Sequence, residues 1–210
     1  MIEICNVTKS FGSETVLRDV SAVLEAGKIY GLVGRNGSGK TVLLKLLCGL
    51  LLPDSGEIRI GGAPLKSRSP GEWNMGVLIE RPGFLPRRTA FQNLRLLAAV
   101  NRRVGEEGIR KAICTVGLDP DSKKKVGDYS LGMRQRLGIA QAIMEGQKIL
   151  LLDEPFSGVD TQSLPEMREL LRAQRGPDRT ILIATHVRED IDGLCDQVFS
   201  VHGGALELLS

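Results

Sequence analysis

An α/β fold with a mostly parallel core sheet, an antiparallel edge sheet and an inserted helical segment is what this 210-residue sequence predicts. Three observations predict it. Short β-like runs at residues 2–7 and 16–24 alternate with turn residues at the start of the chain. The compact apolar run Lys28-Ile-Tyr-Gly-Leu-Val then enters a glycine-rich turn. After it, about residues 40–49 carry Val42, Leu43, Leu46 and Leu47 at helical spacing. Strand, glycine loop and helix in that order are the opening of an α/β nucleotide-binding unit. Further apolar runs at 148–152, 180–184 and 197–201 have the length and composition of strands buried on both faces of a parallel sheet.

Between those runs the character changes. Residues 91–100, 106–116 and 131–144 have helical patterning and are separated by glycine, proline and charged turns. The segment reads as a helical subdomain, about 87–145, inserted into a core formed by 1–86 and 146–210. The length fits this single domain, 1–210, with one substantial core. The run Lys123-Lys124-Lys125 reads as a solvated loop.

Composition removes several function classes. The 28 Lys plus Arg against 25 Asp plus Glu leave a formal charge of +3. That is too small to make nucleic acid or an anionic membrane surface the main ligand, so no nucleic-acid partner is expected. Cys5, Cys48, Cys114 and Cys195 show no paired spacing and read as reduced thiols in a cytosolic protein. The N-terminus lacks a basic stretch followed by an apolar run, so it does not resemble a secretory signal. The longest apolar stretch, 42–52, is broken by Lys45 and Gly49 and falls short of the ~20 residues a membrane helix needs.

The string Gly34-Arg35-Asn36-Gly37-Ser38-Gly39-Lys40-Thr41 matches the eight-residue phosphate loop, with a strand before it and a helix after it. Backbone N–H groups there form a nest at a helix N-terminus, where the dipole also favours anions. Lys40 would reach the β- and γ-phosphates of a nucleotide, and Thr41 would ligate Mg²⁺. A flexible glycine turn is the alternative, disfavoured by the flanking elements. A second element, Ile149-Leu-Leu-Leu-Asp153-Glu154, is an apolar strand ending in two carboxylates. Ligands of open α/β sheets bind at the carboxyl ends of such strands, which places Asp153 beside the phosphate loop. Asp153 would help hold Mg²⁺ and Glu154 would act as general base toward the attacking water. Taken alone, the pair could be a helix cap or a surface acidic pair.

Tyr129-Ser130-Leu131-Gly132-Met133-Arg-Gln-Arg opens the last helix of the inserted segment, with Ser130 as a natural N-cap. Its hydroxyl and the following N–H groups could face an anion. Standing upstream of the Asp-Glu pair, this string resembles the signature of the ABC ATPase family, which usually reads Leu-Ser-Gly-Gly-Gln before Arg-Gln-Arg. The resemblance covers the whole chain. It implies a RecA-like P-loop NTPase core with an antiparallel edge sheet and an inserted helical subdomain. It also implies two copies closing head to tail, so that Ser130 and Gly132 of one face the ATP of the other.

Other positions follow from the resemblance. Phe11 stands where the family places an aromatic against adenine, although a loop-anchoring Phe is an open alternative. Ser157-Gly158-Val159-Asp160 occupies the family's D-loop, which implies contact between Asp160 and the opposite subunit. Thr185-His186 matches the switch histidine that reaches the γ-phosphate. His202 has no such context and receives no role.

Two departures stand out. Glu80 replaces the family's Mg²⁺-side glutamine, and a carboxylate remains a good ligand for that ion. In the signature, Leu131 replaces a glycine and Met133 a glutamine, and a methionine side chain cannot donate a hydrogen bond. Both departures resemble the bacitracin and lantibiotic export ATPases, where an Ile-Glu-x-Pro-x-Phe loop and a Ser-Leu-Gly-Met signature are usual. The expected role is an ATP-hydrolysing subunit that powers export through a separate membrane permease. It would pair with a second ATPase subunit and lie on the inner face of the cell membrane. The alternative is a soluble, non-transport ABC ATPase acting in assembly or regulation.

Overall fold

The computed structural model describes residues 1–65, 73–80 and 82–209. β1 (Ile2–Phe11) and β2 (Glu14–Leu24) form an antiparallel hairpin, and β4 (Ser55–Ile60) and β5 (Ala63–Pro64) complete a four-stranded sheet in the order β2-β1-β4-β5. The second sheet has six strands in the order β10-β9-β3-β8-β7-β6. Here β3 is Ile29–Val33, β6 Met75–Leu78, β7 Ile149–Asp153, β8 Thr180–Thr185, β9 Gln197–His202 and β10 Ala205–Leu208. All pairings in it are parallel except β9 with β10.

Every residue of β3, β7 and β8 is buried, which is why these segments read as unbroken apolar runs rather than as alternating ones. Their side chains still divide by the two-residue period. Ile29, Leu150, Leu152, Ile181 and Ile183 enter one core with the inserted helices. Tyr30, Leu32, Leu151, Leu182 and Ala184 enter the other, beneath α1 (Lys40–Leu47) and the antiparallel sheet. Helix α1 therefore lies between two sheets, and its four leucines Leu43, Leu44, Leu46 and Leu47 are all buried.

Between β6 and β7 the chain forms α2 (Ala90–Asn101), α3 (Glu106–Thr115) and α4 (Leu131–Ile143). Thr89 and Gln92 build a reciprocal capping box at the start of α2. Ser130 Oγ accepts from the Met133 N–H at the start of α4. Helix α5 (Leu164–Ala173) covers the inserted-helix side of the sheet through Met167, Leu170 and Leu171.

Helix α4 reaches the sheet by backbone contact. A Cβ placed on Gly76 of β6 would lie 1.8 Å from the Ala142 carbonyl oxygen of α4. Neither side can yield cheaply, because both are main chain within regular elements. Gly76→Ala is accordingly expected to destabilise the fold by at least about 1–3 kcal/mol, the usual cost of overpacking, as read from the midpoint of chemical denaturation. An unchanged midpoint would mean that α4 does not seat on β6 this closely.

Candidate functional site

The carboxyl ends of β3, β6, β7 and β8 share one edge of the parallel sheet. At this edge β8 lies between β3 and β7, and the loops that leave β3 and β7 converge. They enclose a cleft of about 310 Å³ lined by Phe11, Asn36 to Thr41, Asp153 and Glu154, with Val16 and Val42. A larger hollow of about 410 Å³ at the joint of α2 and α3 is lined by the exposed Arg95, Arg102 and Arg103 and holds none of the motif residues. Size therefore does not identify the site; the convergence of loops does.

The loop after β3 takes its shape from residues without side chains. Gly37 and Gly39 have φ of 79° and 108°, a region that favours glycine. The first-turn N–H groups of α1 have no partner within the helix, and no side chain caps them, because Gly39 is the cap residue. Lys40 is folded back over this loop, its Nζ donating to the carbonyls of Gly34 at 2.7 Å and Arg35 at 3.1 Å. Burial holds its ammonium below the usual lysine range, opposed by the nearby carboxylates of Glu154 and Asp153. The cleft thus places a cation and a row of amides together, the two kinds of group that bind phosphate.

Opposite them, Thr41 Oγ1 donates to Asp153 Oδ2 at 2.7 Å. Asp153 is buried, and burial raises its carboxyl above the ordinary aspartate value, with the Thr41 hydrogen bond opposing. Its Oδ1 and the Ser38 hydroxyl are two of the three buried side-chain polar atoms without a hydrogen-bond partner among the described residues. Hydroxyl and carboxylate oxygens of this kind suit a hard divalent cation.

Glu154 follows β7 with φ +49°, a left-handed conformation that costs a residue other than glycine about 1–2 kcal/mol. Its backbone is held on both sides. The N–H donates to the Ala184 carbonyl at 2.8 Å, and the carbonyl accepts from Gln135 Nε2 at 2.9 Å. The carboxylate accepts from Thr185 Oγ1 at 3.3 Å, and its other oxygen stands 2.9 Å from His186 Nδ1. Strain retained by such over-determination is a mark of functional positions.

The sequence-predicted residues separate into three groups. Phe11, the 34–41 loop, Asp153, Glu154 and His186 meet at this edge. Phe11 is half exposed at the mouth, with Lys9 Nζ 5.5 Å from its ring centre. Ser130, Gly132 and Asp160 do not line the cleft. Gly132 instead packs near Gly158 and Val159, and Asp160 Oδ1 accepts from the Ser163 N–H at 2.9 Å. Glu80 belongs to neither group through its side chain, whose mostly exposed carboxylate accepts from Lys45 Nζ at 2.5 Å, while its backbone lies against Asp153. Sequence reasoning missed Gln135, which it quoted only as a motif letter. It also missed Asp190, whose carboxyl is raised by burial, with Arg168 opposing and Glu154 adding to the shift.

The family model described as ABC transporter matches residues 17–157. The ABC transporter ATP-binding protein YybJ of Bacillus subtilis (strain 168) is 42% identical over 207 residues, covering 99% of this chain and 95% of that protein. The bacitracin transport ATP-binding protein BcrA of Enterococcus faecalis is 39% identical, covering 98% and 68%. The lantibiotic transport ATP-binding protein SrtF of Streptococcus pyogenes is 34% identical, covering 99% and 90%. The fold matches the solved structure of MJ0796, a bacterial ABC transporter cassette, with a TM-score of 0.89 at 23% identity over 100% of this chain and 99% of that one. A family match across well over half of the chain, with relatives aligned along nearly all of it, makes this chain a member of the ABC transporter family.

Proposed function

We propose that this chain hydrolyses ATP as one of two head-to-tail subunits that drive an exporter through a separate membrane permease. One observation carries the reading. The phosphate loop, the Thr41–Asp153 pair and Glu154 line one cleft, with His186 against Glu154, while Ser130 and Gly132 stand outside it. A second copy would bring its own Ser130 and Gly132 to that cleft, with Asp160 at the junction. MJ0796, whose fold this chain shares, has been solved as a dimer and in a post-hydrolysis state with ADP and Pi. In this reading the chain is one domain, a core of 1–86 and 146–210 with a helical subdomain of about 87–145.

Within the cleft each group has a task. Phe11 would pack on the adenine, and the 34–41 loop with Lys40 would cradle the phosphates. Glu154 would accept the proton of the water that attacks the γ-phosphorus, and His186 would hold that carboxylate in place. Thr41 and Asp153, with the unpaired Oδ1, fit Mg²⁺, with Glu80 as a third candidate ligand. When bound, that ion would neutralise charge on the phosphate oxygens.

Bacitracin and lantibiotic transport, the roles of BcrA and SrtF, support a peptide antibiotic or related compound as cargo. No described helix is long and apolar enough to cross a membrane. We place the chain on the inner face of the cell membrane. There the permease would dock beside Glu80, on the hollow lined by Gly83, Phe84, Leu85, Asn93, Leu96 and Leu97. Leu85 and Leu96 are each half exposed there.

The test is phosphate release from the reconstituted complex with the permease. The parent complex should hydrolyse ATP faster than the isolated chain. Glu80→Gln should keep nucleotide affinity within several-fold and change the stimulation ratio, because the Glu80 backbone adjoins Asp153 of the cleft and Gly83 of the docking hollow follows three residues later. Absence of turnover in the parent complex would refute the reading, and an unchanged ratio would remove Glu80 from it.

A further inference from the structure

We infer that Gln135 is a positioning residue for hydrolysis, fixing the peptide of Glu154 and tying it to the helix that begins at Ser130. The inference rests on the reading of Glu154 as general base.

Gln135 is a buried polar residue of α4, 6% exposed, and its Nε2 donates to the Glu154 carbonyl at 2.9 Å. The Ser157 N–H shares that carbonyl at 3.0 Å. Glu154 is left-handed, so its peptide needs outside support to keep this orientation. The Ala184 carbonyl holds the amide side, and Gln135 holds the carbonyl side. The carboxylate reaches Thr185 and His186 only while the main chain is so turned.

The same seam has a second contact. A Cβ built on Gly158 would come within 2.3 Å of Leu131 Cδ2, so Leu131 in the first turn of α4 sits directly over the Gly158 backbone. Helix α4 is thereby keyed at two points to the segment 154–158. Its first turn carries Ser130 and Gly132, the groups that meet the partner's nucleotide in the proposed dimer. A shift of α4 on engaging one ATP would therefore turn the base that serves the other.

The test is phosphate release by the full chain carrying Gln135→Met, which keeps the volume and removes the donor. kcat is expected to fall on the order of 10²-fold, the scale of loss when a catalytic group is misplaced by about 1 Å, while ATP affinity stays at the parent value. Adding the substitution to Glu154→Gln should cause no further fall, because both changes act on one carboxylate. Gln135→Glu keeps the question decidable if the methionine variant does not fold. Its carboxyl can donate to the Glu154 carbonyl only when protonated, so its rate relative to the parent should rise as pH falls. Parental kcat in folded Gln135→Met, an equal loss in the Glu154→Gln background, or a relative rate of Gln135→Glu that does not rise in acid overturns the inference. Failure of the underlying reading shows elsewhere: Glu154→Gln alone would then turn over at the parental rate, removing the base and the inference together.

Discussion

Glu154→Gln is expected to bind ATP, to stay dimeric in its presence and to lose on the order of 10²–10⁴ in turnover, the usual contribution of a general base. The geometry explains why binding and hydrolysis should separate. The Glu154 carboxylate touches Thr185 Oγ1 and His186 Nδ1, whereas the phosphate-binding groups are Lys40 and the loop amides. A glutamine keeps the size and can still accept the Thr185 hydroxyl, but it has no basic oxygen to take the proton of water. ATP then remains intact, and its γ-phosphate continues to draw Ser130 and Gly132 of the second copy onto the cleft. Size-exclusion chromatography with light scattering should show a dimer with Mg-ATP and a monomer with ADP, while the parent dimerises only transiently. Hydrolysis at the parental rate would show that Glu154 is not the base. A variant that stays monomeric with ATP would show that the isolated chain does not form the shared site.

The difference between what the sequence disclosed and what it concealed follows from the range of the interactions involved. The 34–41 loop is legible because its requirements are local: glycines at positive φ, a strand before and a helix after. Strands β7 and β8 are legible because burial on both faces demands a continuous apolar run. β4, β5, β6 and β10 lie outside the runs that the sequence marks as strands. β5 has two residues and β10 four, and such short, mostly exposed segments carry little periodic signal. Helix α5 also lies outside the segments assigned from sequence, although its buried Met167, Leu170 and Leu171 stand at helical spacing among charged residues.

Glu80 shows a different limit. Its ion pair with Lys45 joins residues 35 apart in sequence, through the packing of α1 near the end of β6, and nothing in the local string announces it. Gln135 is similar. A glutamine in a helix is ordinary, and its hydrogen bond to residue 154 becomes visible only once α4 is seated on the sheet. A polar side chain spaced to face the core, little more than one turn after the Ser130 cap, is the signal available.

Lys40→Ala should weaken ATP binding ten-fold or more, because it removes the cation of the cleft while leaving both acids. The Lys40 ammonium donates to the carbonyls of Gly34 and Arg35. ATP offers it phosphate oxygens instead, and the exchange is favourable because a charged acceptor makes the stronger bond. Burial already penalises the ammonium, so an anion arriving beside it relieves that penalty as well. Such charge-assisted bonds contribute about 1.5–3 kcal/mol each, which for a single contact corresponds to roughly 10-fold to 10²-fold in affinity. In the alanine variant Asp153 and Glu154 face the incoming phosphates without the buried ammonium beside them, which pushes the loss toward the upper figure. Asp153 also loses a cation that favours its ionised form, so its carboxyl, already raised by burial, should rise further. Measured with ATP free of Mg²⁺, the affinity deficit should consequently narrow as pH falls through the Asp153 titration, because protonation removes one of the two repelling charges. Calorimetric titration of the folded variant with ATP across that range checks both statements. Parental affinity at neutral pH would refute the assignment of Lys40 to the phosphates.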